Sequence, residues 1–141
     1  MTAYVDASVI LRLALRQPDA LAEWSKIHRG VASALVMVES LRSLDRLRLR
    51  ATLSGKEVAT RRAAILSLIG SLEVVELDAI VLDRASHPMP TELGTLDAIH
   101  LATALLWRDM TGLDITMATH DEALGVGAMA HGLAVIGVRT R

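Results

Sequence analysis

Apolar residues along this chain alternate between short runs and stretches of helical spacing. Thr2 to Val5 is a short β-prone run, after which Ser8 to Leu15 repeats apolar residues at helical spacing until Pro18 interrupts it. Asp19 to His28 reads as a second helical piece, Gly30 to Ala34 as a brief buried strand, and Val36 to Arg50 as a helix. A further helix is predicted over Ser54 to Ile69, with Ser54 and Glu57 spaced as a capping box and Gly70 as its stop. A strand over Glu73 to Leu77, a short helix over Ala79 to Ala85 and the rigid connector His87-Pro88-Met89-Pro90 follow. Thr95 is expected to cap a long apolar helix running through Arg108. The pattern then gives a strand over Asp114 to Ala118, a helix over Glu122 to Ala130 with Gly132 as C-cap, and a last strand over Leu133 to Ile136.

Strands separated by helices over the whole length predict an α/β fold: one open parallel sheet, helices on both faces, a single domain over residues 1–141. Ligands of such sheets bind beyond the carboxyl ends of the strands, where the connection reverses direction. Acids in those places are the first candidates for chemistry. Asp6 ends the first strand, although helix N-capping accounts for it equally well. Glu39 lies off the apolar stripe of Val38, Leu41 and Leu44, and an ion pair with Arg42 at i,i+3 would account for it alone. Asp97 begins a helix that is apolar nearly all round, so its carboxylate needs a partner; a nearby cation explains it better than the helix dipole. Asp121 follows a predicted strand, where capping again competes and Thr119 is a rival cap. Taken together, four oxygen donors at strand ends and early helical turns suit Mg²⁺ or Mn²⁺, and with that ion the cleavage of phosphodiesters.

Composition narrows the field. The absence of cysteine removes disulfides and thiolate metal sites. The five histidines show no zinc-hydrolase spacing; His100 reads as a core or supporting histidine beside Asp97, and His120 as a weaker candidate for orienting Asp121. Phosphate-binding glycine loops and the serine-esterase elbow are missing, and Gly125 and Gly127 read as close-packing positions in the last helix. A 52% apolar composition argues against disorder, and the charge-free stretches are too short or too interrupted to span a membrane. The first residues lack a basic region and meet Asp6, so no secretory signal is read and a cytoplasmic protein is expected.

A net charge of −1 supplies no global attraction for a polyanion. Between Arg42 and Arg62, however, seven of the 15 Lys and Arg residues fall within 21 positions. Their first reading is a solvated helical face, with RNA contact as the alternative. At 2% aromatic residues and no Phe, base-stacking platforms are excluded.

Four segments, in order, resemble the PIN-domain family and within it the VapC toxins: Tyr4-Val5-Asp6-Ala7-Ser8, Val38-Glu39, Leu96-Asp97-Ala98-Ile99-His100-Leu101-Ala102, and Thr119-His120-Asp121-Glu122-Ala123-Leu124. The first and third are the specific ones, and the likeness covers essentially the whole chain. It implies a parallel sheet of order 3-2-1-4-5 with Asp6 and Asp121 near one another at the switch point. It also implies a Mg²⁺- or Mn²⁺-dependent endoribonuclease in which Asp6, Glu39, Asp97 and Asp121 bind the metal. Ser8 and Thr119 would support those carboxylates by hydrogen bonds. A homodimer and a small VapB-like antitoxin covering the acidic site are further implications. The chain departs from the family at His120, where a smaller residue is common. Two rivals stay open: a catalytically silent scaffold of the same fold, and a receiver- or phosphatase-like domain phosphorylated on Asp6, which would want a second acid where Ser8 stands.

Overall fold

The computed structural model describes residues 1–51 and 53–139; the domain expected over 1–141 includes Thr52, Thr140 and Arg141, which lie outside the described residues. Five strands, β1 (Thr2–Val5), β2 (Arg29–Ser33), β3 (Glu73–Val75), β4 (Thr116–Ala118) and β5 (Val135–Ile136), form one sheet of order β3-β2-β1-β4-β5. Every pairing is parallel. The helices are α1 (Ala7–Ala14), α2 (Leu35–Ala51), α3 (Gly55–Gly70), α4 (Ala79–Ala85), α5 (Thr95–Thr111) and α6 (Glu122–Ala130). The fold is thus the expected one, and its strand order the one the resemblance implied.

Period-two alternation along β1 divides the core. Ala3 and Val5 face a cluster with Ile10 of α1, Val36 of α2 and Ile65 and Ile69 of α3. Tyr4 faces the other way, among Leu101 and Leu105 of α5, Met117 of β4 and Leu124 of α6. Burial on both faces explains why the strands read as continuous apolar runs instead of alternating ones. No helix among the described residues is long and apolar enough to cross a membrane.

Local departures have local causes. The helix expected over Asp19 to His28 is only a 3-10 turn at Ala22–Lys26. Leu21 is buried there and Trp24 and Ile27 pack partly against the same core, recurring every three residues as a 3-10 turn presents them, and the chain then returns to start β2 beside Met1. Ser54 does cap α3, its hydroxyl accepting the Glu57 N–H at 3.1 Å, but the helix runs through Gly70 and closes at Ser71. Thr95 is the first residue of α5 and not its cap; Gly94 holds that place, and the helix continues three residues past Arg108 to a left-handed Gly112. Likewise His131 is the C-cap of α6, with Gly132 next at φ +81°. The strands β3, β4 and β5 are shorter than predicted. Gly127 admits Leu93 so closely that a Cβ would lie 3.0 Å from it, in keeping with the close packing expected of this helix.

Candidate active site

The sheet reverses between β1 and β4, and the register sets Val5 beside Ala118. The next residues, Asp6 and Thr119, therefore leave the carboxyl edge side by side. Asp6 is 5% exposed and accepts on both oxygens: Oδ1 from the Ser8 N–H (3.0 Å) and hydroxyl (2.5 Å), Oδ2 from the Thr119 hydroxyl (2.7 Å). Each hydroxyl also accepts a backbone N–H, Ser8 from His120 (2.9 Å) and Thr119 from Asp121 (3.0 Å). Two side chains thereby tie Asp6 to the turn after β4.

Gly137 completes that turn. At φ +95° it sits so near Thr119 that an added Cβ would fall 2.4 Å from the Thr119 carbonyl oxygen, and its own carbonyl accepts the His120 Nδ1–H at 2.8 Å. Nothing in the sequence singled this glycine out.

Glu39 lies on the second turn of α2 and is held in a way the sequence did not suggest. The ion pair imagined with Arg42 is absent among the described residues, and Arg42 faces Asp45 at 3.4 Å instead. Glu39 meets His100 of α5: the imidazole Nε2–H donates to Oε1 at 2.5 Å. The tautomer follows from the bonds behind it. The Ser33 N–H donates to the Tyr4 hydroxyl (3.2 Å), so the hydroxyl proton goes to His100 Nδ1 (2.6 Å) and leaves Nε2 as the donor. Burial, with the charges of Asp6 and Glu39 adding to it, pushes the Tyr4 phenol well above its ordinary value and keeps that proton in place. A buried tyrosine and a histidine in an apolar helix each require partners, and that requirement was the available signal.

Asp97, in the first turn of α5, is half-buried, while Leu96 beside it is 49% exposed, against the expectation of burial on every side of that helix. Its carboxyl is raised above the ordinary value, first by desolvation and next by the charge of Asp121, with Asp6 and Glu39 adding and His100 opposing. The cation expected near Asp97 is not a protein side chain: no ion pair among the described residues involves Asp6, Asp97 or Asp121. Asp121 caps α6, its Oδ1 accepting the Leu124 N–H at 2.9 Å. Asp6 and Asp121 each cap a helix and also line a common cleft, which one carboxylate can do because it has two oxygens and up to four lone-pair positions.

All four acids line one cleft of about 450 Å³, together with Ser8 and His100, and Arg42 and Arg46 stand on its α2 wall. Thr119 lies fully buried beneath it. Among the described residues no three acid or histidine groups are yet drawn together tightly enough to enclose an ion. The donor set nevertheless suits a hard divalent cation: Glu39 Oε2, Asp121 Oδ2 and both Asp97 oxygens have no hydrogen-bond donor among the described residues.

A parallel 3-2-1-4-5 sheet with acids gathered at its switch point defines the class of a PIN fold. The PIN-domain family model matches residues 3–124, and the chain belongs to that family. Over 137 residues it is 37% identical to Ribonuclease VapC46 of Mycobacterium tuberculosis, covering 94% of this chain and 95% of that protein. Among solved structures it is similar to FitAB bound to an IR36 DNA fragment (TM-score 0.73, 19% identity, 100% of this chain and 98% of that one). It is also similar to a chain of a toxin–antitoxin complex from Klebsiella pneumoniae (TM-score 0.67, 15% identity, 95% of each).

Proposed function

We propose that the chain, as a single domain, is a metal-dependent endoribonuclease and the toxin of a toxin–antitoxin pair acting in the cytoplasm. Asp6, Glu39, Asp97 and Asp121 would hold Mg²⁺ or Mn²⁺. The carrying observation is the shared cleft, in which Asp97 is pushed up by burial and by its acidic neighbours and has no ion-pair partner among the described residues. The name and high coverage of the mycobacterial relative support RNA as substrate, and the Klebsiella complex supports an antitoxin, here expected to be VapB-like and to cover the acidic cleft. A homodimer belongs to the same reading.

When bound, the ion supplies Lewis-acid polarisation of a phosphoryl oxygen and lowers the pKa of the attacking water. The chain's own residues supply placement. Ser8 and Thr119 fix both oxygens of Asp6, while the Tyr4–His100 pair fixes Oε1 of Glu39 and leaves Oε2 for the cleft. Arg42 and Arg46 put positive charge on the wall a phosphodiester would pass. Asp6→Asn and Asp97→Asn should each lose more than about a hundredfold in Mn²⁺-dependent RNA cleavage while keeping the native circular-dichroism spectrum. Cleavage retained by either folded variant would reject the assignment, and a wild-type chain without cleavage would favour the silent scaffold.

A further inference from the structure

The basic run singled out in the sequence has an organisation that the acid network does not use. Arg42, Arg46 and Arg50 stand four residues apart on α2, about one turn and about 6 Å of rise per step, so they form one stripe. Arg42 and Arg46 line the acid cleft. Arg46 and Arg50 line a second groove of about 400 Å³, which shares Ser8, Leu11, Ser43 and Arg46 with that cleft and has Arg12 in its lining. The two grooves therefore adjoin along α2, one reaching the acids and the other leading away from them.

Charge pairing is uneven along the two grooves. Arg42 and Arg48 face Asp45 at 3.4 and 2.9 Å, and Arg12 faces Asp19 at 2.9 Å. Arg46 donates to the Ser43 hydroxyl at 2.9 Å, and among the described residues neither Arg46 nor Arg50 is in an ion pair. In a chain of net charge −1 these are local cations beside a groove and no part of a generally basic surface. The groove offers no aromatic ring for base stacking. Exposed guanidinium groups on successive turns match the phosphate oxygens of an extended strand, whose contacts set register without reading bases.

We propose that Arg46 and Arg50, with Arg12 beside them, form a binding subsite for the sugar–phosphate backbone of single-stranded RNA entering the acid cleft. The proposal rests on the nuclease reading for what happens inside the cleft, but phosphate binding in the groove is separable from it. An acidic segment of a protein partner is the competing occupant.

The test uses full-length Arg46→Ala, Arg50→Ala and the double variant, with Arg62→Ala on the exposed part of α3 as control. Binding of a labelled single-stranded RNA is followed by fluorescence anisotropy across a salt series in an Asp97→Asn background, which keeps the RNA intact. Each arginine removed should weaken binding roughly fivefold at fixed salt. It should also lower the slope of log K against log salt by about 0.7. In the otherwise native chain, Arg50→Ala, whose side chain lies outside the acid cleft, should raise KM with kcat held, and Arg62→Ala should move neither quantity. A double variant with unchanged affinity and salt slope would overturn the subsite, including the case in which it instead loses a protein partner. Because binding is read without turnover, loss of the nuclease reading and loss of this subsite are distinguishable.

Discussion

At the amino edge of the sheet, Glu73 opens β3 and accepts from the Trp107 indole N–H and the Arg29 guanidinium, both at 3.1 Å, while Arg29 lies 5.0 Å from the Trp107 ring centroid. Its carboxyl is lowered, first by the indole hydrogen bond and then by Arg29. At the carboxyl edge of the same sheet Asp97 is raised, because it loses water and gains acidic neighbours. At one edge Glu73 and Arg29 are paired; the other edge gathers like charges and, among the described residues, leaves lone pairs without donors. Such a concentration is a cost to folding that an external cation would offset, which is the signature of a functional site.

The largest expected effect that would sharpen this contrast falls on the buried Tyr4–His100 pair. Tyr4→Phe leaves the Ser33 N–H and His100 Nδ1 without their partner, at a cost of about 1–3 kcal/mol in stability. If the pair positions Glu39, Mn²⁺ affinity measured by calorimetry should also fall about 10- to 100-fold. A variant that is merely less stable, with unchanged Mn²⁺ affinity, would reduce the pair to core packing.

A smaller effect compares the two edges directly through pH. A raised carboxyl binds its proton more tightly in the folded state, so Asp97's contribution to stability falls as pH rises through its window and stays low above it. Metal-free Asp97→Asn should consequently be more stable than wild type at neutral pH, on the order of 1 kcal/mol, with the gap closing as pH approaches 3.8. Glu73 has the opposite sign: its contribution is present above 4.5 and is lost as pH falls through its lowered value. Glu73→Gln should therefore lose stability at neutral pH, by no more than about 1 kcal/mol because the group is largely exposed, and leave cleavage unchanged. Thermal melts over pH check both signs; two shifts of the same sign would end the comparison.

How much of this was legible in the sequence follows from the range of each interaction. The alternation of runs and helical spacing located β1, α4 and α6 to the residue, since their signals are local. Asp6 and Asp121 stood out because strand ends are where such sheets place ligands, and Asp97 because its helix is apolar nearly all round. Contacts between distant segments left no local trace. His100 lies 61 residues from Glu39 and Tyr4 lies 96 from His100, so the pattern gave His100 only as a core or supporting histidine and left its partners unnamed. The Asp19 to His28 segment had helical composition, but its core-facing residues Leu21, Trp24 and Ile27 recur every three positions, the spacing of the 3-10 turn that forms. The arginine run read as a solvated face, and Arg42, Arg46 and Arg50 are indeed exposed; that they also line two adjoining grooves depends on the packing of α2 beside α1, which the sequence does not display.

The most direct measurement is anomalous diffraction from crystals of the wild-type chain soaked in Mn²⁺. The account predicts a manganese peak in the α2–α5 cleft with at least three of Asp6, Glu39, Asp97 and Asp121 contributing an oxygen, and its loss in Asp97→Asn crystals. A clear cleft with no peak, or a peak held by residues elsewhere, would contradict it.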